Sequence, residues 1–313
     1  MKRVFVTWPL PDATASRLAS ACELVMNERE ELLSRAELLR GAAGAFGLLT
    51  TLRDRVDAAV LDATGVRVVA NWAVGFDNIE IAAARARKVW VTNTPDVLTE
   101  STADLAFALL FAVSRRVVEG DRLVRRGEFR GWHPGLLLGH DLHGKTLGIV
   151  GLGRIGRAVA RRALAFGMRV IYHGGRPDDV HCQPRSLGDL LAESDIVTLH
   201  VPLTQDTRAL IGANELAQMK RGALLVNTAR GDVVDEDALV AALARHHLGG
   251  AGLDVFSGTP ERPDERLFAL DNVVLTPHIG SATHETRLAM AERATDNLLA
   301  ALAGKTPPDL VWR

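Results

Sequence analysis

Apolar positions along the chain follow two rhythms. Short β-branched runs occupy residues 3–7, 23–27, 44–50, 67–73 and 89–93, and Ala-, Leu- and Arg-rich stretches with helical spacing, such as 12–20 and 54–63, lie between them. A second set of short runs follows at 146–150, 168–172, 195–201, 223–229, 250–256 and 272–276. Strands that alternate with helices predict βαβ units, and so parallel sheets with helices on both faces. The run at 146–150 opens a fresh set, so two doubly wound α/β layers are expected. Between the sets, a helical pattern from 101 to Gly127 carries Leu105, Leu109, Leu110, Val113 and Val117 on one face, with Ser101 and Asp104 at capping-box spacing. A second, at 284–303, stops at Gly304 with Pro307 just beyond. Both are expected to connect the domains, the last one returning the chain to the first.

The 313 residues suit two domains of roughly 100–200 residues each. A formal net charge of −1 without a basic stripe argues against nucleic acid as a partner. No apolar run reaches the roughly 18 residues of a membrane span. The apolar stretch after Met1-Lys2-Arg3 ends at Trp8-Pro9, too soon for a signal peptide. Cys22 and Cys182 are far apart and in no metal-binding spacing, which fits a reducing cytoplasm and no structural metal.

The strongest local signal is Gly151-Leu152-Gly153-Arg154-Ile155-Gly156, which follows the strand at 146–150 and opens a helical run. In that context Gly151 permits a tight turn, Gly153 lets backbone approach a pyrophosphate, and Gly156 lets helix and strand pack closely. The free N–H groups of the helix N-terminus favour phosphate. At the end of the next strand an acid would bind the ribose hydroxyl of NAD(H). Here Gly174, Gly175 and Arg176 stand there instead, and Asp178 and Asp179 come late, a pattern that favours NADP(H), with NAD(H) as the alternative.

Three later strand ends carry Arg230-Gly231-Asp232, Ser257-Gly258-Thr259-Pro260 and Pro277-His278-Ile279-Gly280. Ligands bind at the carboxyl ends of strands in open α/β sheets. Singly, Arg230 would read as a surface ion-pair partner and His278 as a buried histidine. Together, downstream of a dinucleotide motif, they suit hydride transfer to a ketone: an arginine fork for a carboxylate and the carbonyl oxygen, and an imidazole to supply the proton.

At these residues the sequence resembles the D-isomer-specific 2-hydroxyacid dehydrogenase family. The resemblance runs through 71–79, 92–98, 143–145, the glycine motif, 227–231, 250–256 and 276–283. Trp132-His133-Pro134 and the acid-free segment 172–177 look most like the glyoxylate/hydroxypyruvate reductases within it. The resemblance implies a flavodoxin-like substrate domain, 1–98 with 285–313, and a Rossmann dinucleotide-binding domain, 99–284. It implies a small 2-keto or 2-hydroxy acid as substrate, held by the backbone of Val74 and Gly75 with Arg230, and bordered by Leu52 and Trp132. His278 would be the acid/base. Cofactor contacts would come from Thr102, Leu152, Arg154, Ile155, Val201, Pro202, Thr207, Thr228, Ala229, Asp254 and Gly280, besides the glycines, Arg176, Arg230 and His278. It also implies a homodimer built on 101–127 and the loop after it, with Trp132 reaching the partner's site. Two other readings stand beside it: a reductase of bulkier 2-keto acids such as aromatic pyruvates, and a dinucleotide-sensing protein without turnover.

One departure matters. Where the family has a Glu that hydrogen-bonds the catalytic histidine, this chain has Thr259, which cannot supply charge; Glu261 or Asp264 is the nearest acid to compensate. Protonated His278 is the form that reduction uses, so losing the neighbouring charge lowers the pH at which reduction fades. Thr259→Glu is expected to move the alkaline limb of the reductive pH–rate profile to higher pH, and an unchanged profile would refute the reading.

Overall fold

The computed structural model describes residues 1–177, 180–258 and 262–312. The chain first runs β1 (Arg3–Val6), α1 (Asp12–Ala19), β2 (Glu23–Met26), α2 (Arg35–Ala42), β3 (Gly47–Thr50), α3 (Ala58–Thr64), β4 (Val68–Asn71), α4 (Ile81–Ala86) and β5 (Trp90–Thr92). It continues through α5 (Thr99–Ser114), α6 (Val117–Arg125), β6 (Thr146–Leu152), α7 (Arg154–Ala165), β7 (Arg169–Gly175) and the two-residue β8 (Gln183–Pro184). Then come α8 (Leu187–Glu193), β9 (Ile196–Leu199), α9 (Ala213–Gln218), β10 (Leu224–Asn227), α10 (Glu236–Ala244), β11 (Gly250–Leu253), β12 (Val273–Leu275) and α11 (His284–Leu302). The chain divides into two compact units, 1–98 with 281–313 and 99–280.

Among the described residues, the first unit holds a five-stranded parallel sheet in the order β2-β1-β3-β4-β5. Its strands are apolar on both faces because helices cover both. On one side Phe5, Leu48, Val69 and Val91 pack with Leu38, Val60 and Ala84 of α2, α3 and α4. On the other, Val4, Leu49 and Val68 pack with Leu18 of α1 and Ala291, Ala294 and Leu298 of α11. Thr283 caps α11 by accepting from Thr286 N–H at 3.1 Å. The predicted helix at 54–63 begins only at Ala58. Asp57 is its N-cap, accepting from Val60 N–H at 3.0 Å, and Asp54 is held out of the helix by Thr7, whose hydroxyl donates to its carboxylate at 2.6 Å.

Among the described residues, the second unit holds a seven-stranded sheet in the order β12-β11-β10-β9-β6-β7-β8, again parallel. Order reverses at β6, where the glycine motif lies. Helix α5 crosses one face closely. A Cβ on Gly252 would meet Leu109 Cβ at 2.9 Å, and one on Gly250 would meet Val113 Cγ1 at 2.7 Å. Arg162 of α7 fastens α5 through Glu100 (2.8 Å) and Asp104 (2.6 Å).

The single helix expected from 101 to 127 is two helices. It starts at Thr99, so Ser101 and Asp104 sit inside its first turns rather than forming its cap. It breaks after Ser114 because the Ser114 carbonyl accepts from His140 N–H at 2.8 Å, while Arg116 turns left-handed at φ +53. Gly139 presses so closely on that carbonyl that a Cβ would lie 2.3 Å from its oxygen. No helix among the described residues is long and apolar enough to cross a membrane.

Gly252→Val is expected to push α5 off β11 and lower stability by about 1–3 kcal/mol, read as an earlier midpoint in urea or thermal unfolding.

Candidate active site

The β6–α7 junction is a cradle that only glycine can form. Gly151 has φ +98, and a Cβ there would lie 2.6 Å from the carbonyl oxygen of His200. A Cβ on Gly156 would lie 2.2 Å from the Gly151 oxygen. Around Gly153, in contrast, nothing stands within 4 Å of a Cβ position, and this residue offers α7 no side-chain cap. The space over the start of α7 is therefore open, which fits a pyrophosphate. Arg154 is exposed and Ile155 half-buried at the helix start. Leu152 is fully buried beneath it.

Beside the cradle, β7 runs three residues past its predicted end. Gly174 and Gly175 adopt φ +69 and +95, and Gly175 abuts Leu152, whose oxygen would stand 2.6 Å from a Cβ. Arg176 follows, exposed. Asp178 and Asp179 lie outside the described residues. The loop after β9 is pinned by Thr207, whose hydroxyl donates to Pro202 O at 2.6 Å and accepts from Thr204 N–H at 2.8 Å. That places Val201, Pro202 and Thr207 at the same edge of the sheet, with Val201 against Gly151. His200 sits under this edge, its Nε2 2.9 Å from Thr198 Oγ1; burial lowers its pKa to about 3, so it stays neutral.

Two turns, after β10 and after β12 on either side of β11, carry the expected reacting groups. After β10, Asn227 donates from Nδ2 to Arg230 O at 2.9 Å and accepts from Ala229 N–H at 3.0 Å, folding Thr228–Arg230 into a tight loop. Thr228 and Ala229 are buried, Arg230 half-buried. The Thr228 hydroxyl has no hydrogen-bond partner among the described residues, an acceptor or donor left for a ligand. Gly231 lets the chain return against the residues after β11: a Cβ would fall 1.9 Å from the Phe256 carbonyl carbon.

The His278 turn is wrapped around Asp254. Its carboxylate accepts from Thr276 Oγ1 at 2.6 Å, Ile279 N–H at 2.8 Å and Gly280 N–H at 2.8 Å, one residue on each side of the Pro277–His278 pair and one beyond. His278 itself is left-handed at φ +57. Burial pushes the Asp254 pKa up; the Thr276 hydroxyl, the Ile279 amide, the charge of His278 and the Gly280 amide pull it back. Thr102, buried on α5, reaches the same place, its Cγ2 3.4 Å from a Cβ position on Gly280. The structure thus brings Thr102, Asp254, His278 and Gly280 together.

In the first unit, Asn71, Asn78 and Asp54 join two loops. Asn78 Nδ2 donates to Thr51 O (3.1 Å), Asp54 O (3.0 Å) and Asn71 Oδ1 (3.2 Å), while Asp54 accepts from Thr51 N–H at 2.7 Å. Leu52 on one loop and Val74 and Gly75 on the other are half-buried and sit on this common network.

Trp132 lies on an irregular segment after α6 and is 81% exposed in the single chain. Thr259 and Glu261 lie outside the described residues. Asp264, the other acid named as a substitute for the missing Glu, is committed elsewhere. Arg266 Nε donates to it at 3.0 Å, and that bond, with the Arg266 amide, lowers its pKa to about 2.

Residues 107–280 match the family model for the NAD binding domain of D-isomer specific 2-hydroxyacid dehydrogenases. The chain is 49% identical over 316 residues to the glyoxylate reductase of Korarchaeum cryptofilum, covering 99% of this chain and 95% of that one. The chain belongs to the D-isomer specific 2-hydroxyacid dehydrogenase family. It is an oxidoreductase that uses a nicotinamide dinucleotide. Two crystal structures extend the likeness. The TT0316 protein of Thermus thermophilus has a TM-score of 0.93 and 53% identity, covering 99% of each chain. An NADPH-dependent glyoxylate/hydroxypyruvate reductase from Sinorhizobium meliloti, solved with NADP and malonate, has a TM-score of 0.88 and 34% identity, covering 99% of this chain and 97% of that one.

Sequence reasoning missed the supporting residues of this dehydrogenase: Asn227 under Arg230, and Asn71, Asn78 and Asp54 under the loops of the first unit. An Asn closing an apolar strand, with its partner two or three residues on, is a legible Asx-turn signal. Asp254, expected as a cofactor contact, has its carboxylate occupied by the His278 turn.

Asp254→Asn keeps the volume but puts an amide where three donors converge. Leaving a buried donor unmatched is expected to cost about ten- to a hundredfold in kcat/KM, measured by initial rates, with the far-ultraviolet circular dichroism unchanged.

Proposed function

We propose that this enzyme reduces small 2-keto acids, glyoxylate and hydroxypyruvate, to 2-hydroxy acids, with NADPH preferred over NADH. The observation that carries this is the edge of the second sheet: the glycine cradle after β6, the Arg230 loop after β10 and the His278 turn after β12 all stand at carboxyl ends of strands of that sheet. The family and the glyoxylate reductase relatives support the same substrate class.

A nicotinamide bound at this edge would supply hydride to the keto carbon. The chain does the rest. Arg230 pairs with the substrate carboxylate and polarises the carbonyl oxygen, its fork suited to a bidentate anion. The amides of Val74 and Gly75 donate to the same carboxylate, with Leu52 bordering the substrate. His278, fixed by Asp254, gives its proton to the oxygen as negative charge develops there. Arg154, Ile155 and the three glycines hold the pyrophosphate, and Thr102, Val201, Pro202, Thr207, Thr228 and Ala229 line the remaining cofactor path. Gly174 and Gly175 leave the ribose end open, and Arg176 offers a cation where an NAD-selective enzyme offers an acid. On this reading residues 1–98 with the C-terminal helix form the substrate domain, and the glycine-motif unit binds the dinucleotide.

The enzyme is proposed to act as a homodimer in the cytoplasm. Val117, Val124, Phe129, Trp132 and Leu138 are all exposed along α6 and the segment after it, an apolar strip that a second copy would cover. Cys22 and Cys182 are both thiols, in keeping with a reducing compartment.

Initial rates with NADPH and NADH against glyoxylate, hydroxypyruvate, pyruvate and phenylpyruvate test the proposal. The highest kcat/KM is expected for NADPH with glyoxylate or hydroxypyruvate. Arg176→Ala is expected to lose about tenfold in kcat/KM for NADPH while sparing NADH, roughly one charge-assisted hydrogen bond. No oxidation of either cofactor by any keto acid would overturn the assignment.

A further inference from the structure

We propose that Asn71 and Asn93 are positioning residues that turn three successive amides of the first unit, those of Val74, Gly75 and Phe76, outward as a nest for the substrate carboxylate. The inference rests on the keto-acid reading above and deepens it.

A trans peptide carries its C=O and the following N–H on opposite sides. Fixing the carbonyl therefore aims the amide. Here three consecutive carbonyls are fixed. Ala73 O accepts from Thr94 N–H at 2.9 Å, Val74 O from Asn93 Nδ2 at 2.8 Å, and Gly75 O from Asn71 Nδ2 at 2.7 Å. The amides of Val74, Gly75 and Phe76 consequently point away from these donors. Val74 and Gly75 are half-buried and Phe76 is exposed, so the amides face the accessible side of the loop. Among the described residues none of the three donates to another protein group. Successive N–H groups of this kind make a concavity for an anion.

The two carboxamides are themselves held. Asn71 is fully buried; its Oδ1 accepts from Thr50 Oγ1 at 3.0 Å and Asn78 Nδ2 at 3.2 Å, and its Nδ2 donates to Asn78 Oδ1 at 3.2 Å as well as to Gly75 O, so the carboxamide is held on both sides. Asn93 is gripped through its main chain, its N–H donating to Asp309 O at 3.4 Å and its O accepting from Asn297 Nδ2 at 3.4 Å. Asn297 is anchored in turn by Asp309 at 3.0 Å. Only a neutral donor suits these two positions. An aspartate would repel the carbonyl it has to hold and release the peptide. The nest consists of donors alone, so it favours a carboxylate over the corresponding ester, which carries no full charge.

The test compares wild type with Asn93→Ala and Asn93→Asp, using glyoxylate and methyl glyoxylate as substrates and titrating NADPH by protein fluorescence. The expected result is a KM for glyoxylate raised about tenfold, by more in Asn93→Asp, with kcat/KM for the ester within about twofold of wild type and NADPH affinity unchanged. A loss shared equally by acid and ester, an unchanged KM for glyoxylate, or weakened NADPH binding would overturn the inference while leaving the keto-acid reading intact. Wild type inert toward every keto acid would instead remove that reading. If the Asn93 variants do not fold, amide hydrogen exchange of the wild-type 74–77 segment with and without oxalate decides: slowing supports the nest, and no slowing refutes it.

Discussion

A buried polar side chain at the end of a strand must find its hydrogen bonds in the loop that follows, and this protein shapes its working loops through that requirement. Asn71 closes β4, Asn227 closes β10, and Asp254 follows β11 directly; each is 1% exposed or less. Each spends its side chain on backbone groups of the loops that carry the expected chemistry. A buried donor or acceptor left unmatched costs about 1–3 kcal/mol, a sizeable share of the roughly 5–15 kcal/mol that holds a typical domain together. The loop conformations are therefore tied to the stability of the sheets beneath them. Arg230 and His278 inherit their placement from Asn227 and Asp254.

Glycine supplies the complementary half. Fixing a loop with buried Asn or Asp brings backbones together, and at Gly151, Gly156 and Gly231 they come closer than any Cβ allows, with clashes of 2.6, 2.2 and 1.9 Å. Gly153 serves the opposite purpose, since its missing side chain leaves space over the N-terminus of α7 rather than permitting a contact. The two uses explain why the motif reads as a unit: the outer glycines permit close backbone approach, and the middle one keeps the junction open.

What was legible in the sequence follows from how local each cause is. Parallel strands covered on both faces appear as continuous apolar runs, so β1 to β5 and the longer strands of the second sheet could be read directly, as could the glycine cradle, whose requirement is a fixed spacing between one strand and one helix. Two features with distant causes could not. The helix expected across 101–127 stops at Ser114 because His140 and Gly139, far downstream, take over its carbonyl. The first turn expected at 54 is absent because Asp54 is drawn to Thr7 after β1. Arg230 and His278 could be named as candidates from residue type and strand-end position. Their supports could not be ranked, because an Asn or Asp near a turn looks like ordinary loop chemistry until its partners are known.

The groups assigned to the reaction also differ in how they respond to protons. Backbone amides in the 74–76 loop do not titrate. His200, beneath the cofactor edge, is held neutral by burial down to about pH 3. Asp264 keeps its charge through its bonds to Arg266. The carboxylate that does act on His278 is Asp254, and it acts through a turn whose two amides and one hydroxyl it must also satisfy. An imidazole is the side chain whose charge changes near neutrality. The placement of the His278 imidazole therefore rests on the buried acid that holds its turn together.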